Sequence, residues 1–389
     1  MDMRALGIDP GTGTFDLAVV DGERVVYEDS LPAAVVAEDP ERLVRAIEAS
    51  RADVIAAPSG YGVPFTWASD VRDPLRFTYE VLLLSTREQV AKASGELGVK
   101  VYEALALVVS QLVKADVRAV FVPSVILLRT VPAYRKYNKV DMGTADKLAS
   151  ALIAVHGLAR RKGVRPSEVS AVVLELGFGY NSAISVLRGR VVDGIGGTYA
   201  SFGPLTAGSL DLEVVVGAPF WSRFDVYKGG LAEVCGTYDL REAERRYEAG
   251  EEPCASAYRA WLEGVLKDVA RASVPIGREV DTVVLNGRYS GLRSLREALR
   301  EAMPDIEVVE GSRLPGSSVT KEASQGYAAM AAHAAGGGEG LLEEVMRVAD
   351  IDSACGTVAD YVVHPAAVPL RERVRRAYVE SVARPKLCP

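Results

Sequence analysis

GIDPGTGTFDLAVVDG, residues 7–22, is the stretch on which the reading of the whole chain turns. An apolar strand (Ala5, Leu6, Ile8) ends in a carboxylate, Asp9, and a turn of Gly11, Thr12, Gly13 and Thr14 follows. A second strand then alternates through Leu17, Val19 and Asp21. The spacing predicts a hairpin whose tip offers bare backbone N–H groups and two hydroxyls, those of Thr12 and Thr14. Glycine lets a backbone approach an anion closely, and successive N–H groups form a concavity that binds phosphate. An ordinary hairpin with a Gly-rich turn satisfies the same pattern. Asp9, at the mouth of the turn, is placed to hold Mg²⁺ through water, because hard cations take oxygen ligands.

The chain then repeats itself. Glu168–Leu176 is an apolar strand ending in Glu175 and the turn Gly177-Phe178-Gly179-Tyr180-Asn181-Ser182. Ala183–Leu187, a turn at Arg188-Gly189-Arg190, and Val191–Ile195 complete the same strand–turn–strand grammar that opens the chain. A repeat of this length is no solenoid. It predicts two similar α/β lobes meeting near residues 140–147: a first lobe over 1–145, a second over 146–335 and a helical extension over 336–389. Glu175 mirrors Asp9 as a second metal-side carboxylate, with a solvated strand end as the plain alternative. Val280–Leu285 is a buried strand running into Asn286-Gly287-Arg288 and a helix, Leu292–Ala302. Such a strand–glycine–helix junction brings backbone N–H groups to an anionic ligand, although an ordinary βα loop looks the same.

Between these segments, Arg24–Ser30, Asp53–Pro58 and Ala119–Phe121 read as strands, and Glu38–Arg51 and Ala104–Ala115 as amphipathic helices. Leu75–Leu97 reads as a long helical region and Lys100–Tyr102 as a brief strand. Gly336–Gly338 is a loop and Pro369–Ala383 a closing helix. Strands alternating with helices imply a mixed sheet with helices on its faces.

Taken together, these segments resemble the superfamily of acetate and sugar kinases, actin and heat-shock ATPases. GIDPGTGTFDLAVVDG is similar to its first phosphate motif, ELGFGYNSAISVLRGR (175–190) to the second, and VDTVVLNGRYSGLRSLREAL (280–299) to the adenosine motif. GGTYASFGPLTAGSLDLE (196–213) resembles the stretch that follows the second phosphate motif in butyrate and acetate kinases. Phe202-Gly203-Pro204 precedes Ala207-Gly208-Ser209-Leu210 there, without the arginine usual in those enzymes. The chain as a whole is most similar to an archaeal family of unknown function described as predicted butyrate kinases, over roughly residues 1–335. The resemblance implies two ribonuclease H-like (actin-like ATPase) lobes around a nucleotide cleft. It implies ATP and Mg²⁺, with Asp9 and Glu175 at the metal. Gly11, Thr12, Gly13, Thr14, Gly177, Gly179, Tyr180, Asn181, Asn286, Gly287 and Arg288 would then line the nucleotide.

The catalytic candidates stand at the lobe junction. Asp146 would cap the helix Lys147–Lys162, or serve as base and orienting group for the phosphoryl acceptor, with Lys147 steadying transferred charge. GTADKLASAL (143–152) resembles the Gly-x-Asp-Arg segment of type III pantothenate kinases, with lysine in place of the arginine. Phosphoryl transfer needs positioning and charge neutralisation more than covalent chemistry. Ser59–Pro64 is read as a turn, with a wall of the acceptor pocket as its functional alternative. His156 is expected in a core, His333 and His364 show no partner spacing, and Lys321, opening an alanine-rich helix, is expected in solvent, with a reach to phosphate as its functional alternative.

Composition narrows the choice. With 389 residues the chain holds two domains, and a net charge of −7 argues against a nucleic-acid partner. That charge and the second phosphate motif also weigh against a RuvC-like nuclease. No apolar run reaches the roughly 20 residues of a membrane span. The N-terminus enters a strand without the pattern of a signal peptide, so a cytoplasmic protein is expected. Scarce Asn and Gln, three of each, suggest a thermophile. The four cysteines form no CxxC pair, so reduced buried thiols are expected, with a disulfide such as Cys235–Cys254 left open. The reading is an ATP- and Mg²⁺-dependent kinase of a small molecule such as a short-chain carboxylate, with a homodimer compatible. Pantothenate-kinase-like alcohol phosphorylation and a non-catalytic nucleotide-binding regulator are the alternatives.

Overall fold

In the computed structural model, which describes residues 3–92, 97–115, 117–218 and 220–389, two sheets repeat one another. β1 (Arg4–Pro10), β2 (Thr14–Asp21) and β3 (Arg24–Pro32) form an antiparallel meander. β4 (Val54–Ala56) and β6 (Ala119–Phe121) extend it in parallel, and β5 (Thr66–Trp67) closes the edge. The second lobe repeats the order with β7 (Ala171–Leu176), β8 (Asn181–Leu187), β9 (Arg190–Ile195), β10 (Thr282–Asn286) and β11 (Glu307–Glu310). The orders β3-β2-β1-β4-β6-β5 and β9-β8-β7-β10-β11 match strand for strand apart from β5. The duplication read from the two hairpins is therefore a duplication of whole sheets.

β1, β7 and β10 are buried along nearly their full length rather than on alternate residues. Strands covered on both faces read as continuous apolar runs. The covers that matter for function are two alanine-rich helices, Ala145–Lys162 and Glu322–Ala334. The later helix lies directly on β1: a Cβ on Gly7 would stand 1.9 Å from the Ser324 carbonyl oxygen, so only glycine admits this approach. The two helices also touch each other, with Gly326 against the Ala149 backbone. They form the shared core between the lobes. At the far end, Ala377, Tyr378 and Val382 of the C-terminal segment join the first-lobe core.

Three expectations are corrected. Lys100–Tyr102 is helical, inside Leu97–Lys114. Tyr102, Leu105, Ala106, Val109 and Leu112 are buried at helical spacing, which overrides the strand preference of a short Val/Tyr run. Leu75–Leu97 is not one helix. A helix capped by Asp73 starts at Pro74, widens into a π-turn over Phe77–Leu82 and stops where Leu84 turns left-handed (φ 49°). Arg87–Lys92 is separate, and residues 93–96 lie outside the described residues. The cysteines are paired rather than reduced: Cys235–Cys254 and Cys355–Cys388, with Cα atoms 4.5 and 4.9 Å apart. The first pair joins a helix end to a helix start. The second forms because the Gly356 N–H donates to the Lys386 carbonyl and draws the C-terminal tail alongside.

Candidate functional site

Register builds the centre of the cleft. Across the first hairpin Asp9 stands directly opposite Asp16, and across the second Glu175 stands opposite Ser182 and beside Asn286 of β10. Two carboxylates facing each other across a ladder repel. Lys321, the residue that precedes the helix Glu322–Ala334, resolves this: its Nζ lies 3.2 Å from Oδ2 of both Asp9 and Asp16. The second lobe carries the same device. Lys147, in the first turn of Ala145–Lys162, places Nζ 2.6 Å from Glu175 Oε2 and 2.8 Å from Asp146 Oδ2. Each lobe thus ends a central strand in an acid and bridges two acids with a lysine from a helix start.

Charge settles unevenly. Burial pushes Asp9 up to about 6, against the opposing pull of Lys321. Burial likewise raises Glu175, with Lys147 opposing. For Asp146, burial is outweighed by the Lys147 charge and its hydrogen bond, so the carboxyl sits below its ordinary value and stays ionised. Burial works against both ammonium groups, yet the surrounding carboxylates hold Lys147 and Lys321 above the usual lysine range. Asp141 leans on Gly196 and Gly197, accepts the Gly143 N–H at 2.9 Å and is raised by burial to about 6.

The glycine turns converge on this centre. A Cβ on Gly11 would lie 3.3 Å from Lys321 Nζ, and one on Gly177 would lie 3.6 Å from Lys147 Nζ and from Glu175 Oε2. The turn tips abut across the cleft, with Thr12 near Gly179, and Gly13 near Phe178 and Arg288. Gly287 has φ 87°, and a Cβ there would meet Glu175 Oε1 at 2.8 Å, so this turn requires glycine on both counts. Asp9, Gly11, Asp146, Lys147, Glu175, Gly177 and Gly287 are therefore gathered, with Thr12, Gly13, Thr14, Gly179 and Arg288 along the turns.

Other expected positions are corrected. Asn181 is buried and accepts from Trp261 Nε1, and Asn286 is buried and donates to Ser150, so both amides brace the core. Tyr180 donates its hydroxyl to the Val226 carbonyl. Asp146 is not the helix cap: Thr144 holds that position, and Asp146 accepts its hydroxyl. Lys321 is four-fifths buried, not solvated. His333 has partners after all, 2.9 Å from both Glu343 and Asp352, while His156 is in the core beside Glu23 as expected. Asp16 is the residue that sequence reading passed over, and Lys321 the one that it placed in solvent. Asp16 was detectable, since it and Asp9 flank the turn symmetrically. Lys321 was not, because its partners lie some three hundred residues away in sequence.

Lys321 is held in place by a carboxylate on the neighbouring strand. Glu28 of β3 accepts from the backbone N–H groups of Ser318, Val319 and Thr320 and from three hydroxyls of the same loop. Burial raises Glu28, but these bonds outweigh it and bring the group down to about 2. A depressed folded pKa contributes stability above the unfolded value, lost as pH falls toward 2. Glu28→Gln is therefore expected to cost about 2 kcal/mol at pH 7, the gap closing between pH 4.5 and 2 in pH-resolved urea denaturation. A gap that stays constant to pH 2 would show that the loop is held otherwise.

A family profile described as "Protein of unknown function (DUF1464)" matches residues 7–364. The chain belongs to this family. Parts of the chain are similar to proteins named as kinases of small acids. The "Probable butyrate kinase 2" of Caldanaerobacter subterraneus is 26% identical over 154 residues, 37% of this chain and 43% of that protein. The "Acetate kinase" of Streptomyces avermitilis is 30% identical over 178 residues, covering 40% and 42%. The chain thus spans about two fifths of the length of these curated relatives. Among solved structures, a propionate kinase from Francisella tularensis superposes with a TM-score of 0.57 at 14% identity, over 84% of this chain and 98% of that one. Porphyromonas gingivalis acetate kinase gives 0.54 at 14% identity, over 85% and 98%. At such identities the likeness establishes the fold alone: two lobes arranged as in acetate and propionate kinases. Among the described residues no helix is long and apolar enough to cross a membrane.

Proposed function

We propose that the protein is an ATP- and Mg²⁺-dependent kinase of a small molecule, with the phosphates of the nucleotide gripped between the two glycine turns. The observation that carries this reading is the doubled device of strand-end acid and helix-start lysine, facing across abutting turn tips. Among the described residues no three acidic, histidine or cysteine side chains form a metal cage by themselves. Mg²⁺ is usually held by one or two carboxylates plus substrate phosphates, and the donors present fit that pattern. Asp9 Oδ1 is buried with no hydrogen-bond partner, and Glu175 adds a second carboxylate. When bound, the metal would neutralise charge on the phosphates.

In this reading each protein group has a task that its environment supports. Lys147 stays protonated and can donate to phosphoryl oxygens. Asp146 stays ionised and can accept a hydrogen bond from the acceptor. The Gly11 and Gly177 N–H groups close their own turns on the Asp9 and Tyr180 carbonyls, which leaves those of Thr12, Gly13, Phe178 and Gly179 at the tips to donate to phosphate. We read residues 1–145 and 146–335 as the functional lobes and 336–389 as an extension, in a cytoplasmic protein compatible with a homodimer. The test is transfer of the ATP γ-phosphate to short-chain carboxylates, pantothenate and small alcohols. Mg²⁺-dependent transfer to one of them is expected. Tight ATP binding with no transfer to any acceptor would favour the regulator instead.

A further inference from the structure

Beside the carboxylate centre stands a cation with no ion-pair partner among the described residues. Arg223 Nη2 donates to the Tyr61 hydroxyl at 2.8 Å and the Leu83 carbonyl at 3.3 Å, while its Nε is buried with no hydrogen-bond partner. Among the described residues no carboxylate lies within ion-pair distance of it. Its guanidinium is 5.5 Å from the centre of the Tyr61 ring. Tyr180 and Tyr227 meet edge to face at 5.6 Å, and the Tyr102 and Tyr227 hydroxyls are 3.1 Å apart. Tyr61 and Tyr102 come from the first lobe, and Tyr180, Arg223 and Tyr227 from the second, so the patch spans the cleft. Tyr61, Tyr180, Arg223 and Tyr227 are each half-buried, so the patch is partly open to solvent and not a sealed core. Asp141 connects it to the centre, since its carboxyl feels Arg223 on one side and the Asp146–Lys147 pair on the other.

The hydroxyls in this patch are engaged by the frame: Tyr180 donates to Val226, Tyr102 and Tyr227 pair with each other, and the Tyr61 oxygen accepts from Arg223. Ring surfaces and the Arg223 Nε remain to be offered. A buried N–H without an acceptor is costly, and guanidinium matches a carboxylate in planar, directional hydrogen bonds. Aromatic rings arranged at angles to one another favour a flat aromatic guest over a floppy alkyl chain.

Building on the kinase reading, we propose that Arg223, Tyr61, Tyr102, Tyr180 and Tyr227 form the acceptor site, which takes a small carboxylic acid with an aromatic body in preference to a short alkyl acid. Calorimetric titration of the intact protein with benzoate, phenylacetate, butyrate and pantothenate tests it, with ADP binding and thermal unfolding as controls. At least one aromatic acid is expected to bind about tenfold or more tightly than butyrate. Arg223→Ala is expected to abolish that binding, Arg223→Lys to weaken it about tenfold, and both to retain ADP binding. Tyr227→Phe, which keeps the ring, is expected to retain the aromatic preference should the Arg223 variants fold poorly. Butyrate or pantothenate binding more tightly than both aromatic acids, or binding that survives Arg223→Ala, would overturn the proposal. So would the absence of binding by any acid. Aromatic-acid binding without phosphoryl transfer would overturn the kinase reading and leave this site standing. Transfer to an alkyl acid, insensitive to Arg223, would do the reverse.

Discussion

Asp146→Asn is expected to lower phosphoryl transfer by a factor on the order of 10²–10⁴, the range for a positioned acid–base group, while nucleotide binding survives. The amide has the shape of the carboxylate and can keep the Thr144 hydroxyl contact, and Lys147 keeps Glu175 as an ionic partner at 2.6 Å. What disappears is the negative charge that Lys147 holds ionised despite burial. An interaction needed only in the transition state lowers kcat and kcat/KM together, whereas one that merely binds substrate raises KM. Steady-state kinetics with the acceptor found in the screen, together with ADP titration, separates the two. Turnover equal to the parent protein would remove Asp146 from the chemistry and leave it as part of the helix start.

Local patterns were legible in the sequence, and long-range partnerships were not. The hairpin at residues 4–21 and its repeat at 171–187 announce themselves because strand, acid, glycine turn and strand follow one another within a few residues. The two-lobe fold followed from that repetition. The failures share one cause. Lys321 looks like a solvated residue at a helix start until the crossing of the chain from second lobe to first sets it between Asp9 and Asp16. Asn181 and Asn286 fit the motif by position, yet strand alternation points their side chains into the core, toward Trp261 and Ser150. Asp146 matched a cap by composition, and only the backbone shows that the cap lies two residues earlier, at Thr144. The cysteine pairs likewise depend on tertiary neighbours, which composition does not encode.

Lys321→Met gives the sharpest measure of how the centre is held together. The lysine side chain is 20% exposed and its partners Asp9 and Asp16 are 4% and 3% exposed, so solvent cannot replace the lost charge. Removing one member of a buried ionic group leaves uncompensated charge and costs roughly 3–5 kcal/mol, whereas an exposed lysine would cost less than about 1. The pH dependence carries a definite sign. Burial already raises Asp9 to about 6, and Lys321 is the group that lowers it, so the variant's Asp9 rises further. A carboxyl with a raised folded pKa binds a proton that the unfolded chain has released, so stability falls as pH rises through the folded value. The variant should therefore be weakest near pH 8 and recover toward the parent as pH falls through the variant's Asp9 value, which lies above 6, when Asp9 protonates and its repulsion with Asp16 ends. Adding Asp16→Asn to Lys321→Met should restore most of the loss at pH 8, because it removes the same repulsion at constant shape. Urea denaturation of the parent, the single variant and the double variant at pH 5 and pH 8 reads both effects. Equal midpoints for parent and single variant at pH 8 would return Lys321 to solvent and dissolve the symmetry between the lobes on which the proposed phosphate grip depends.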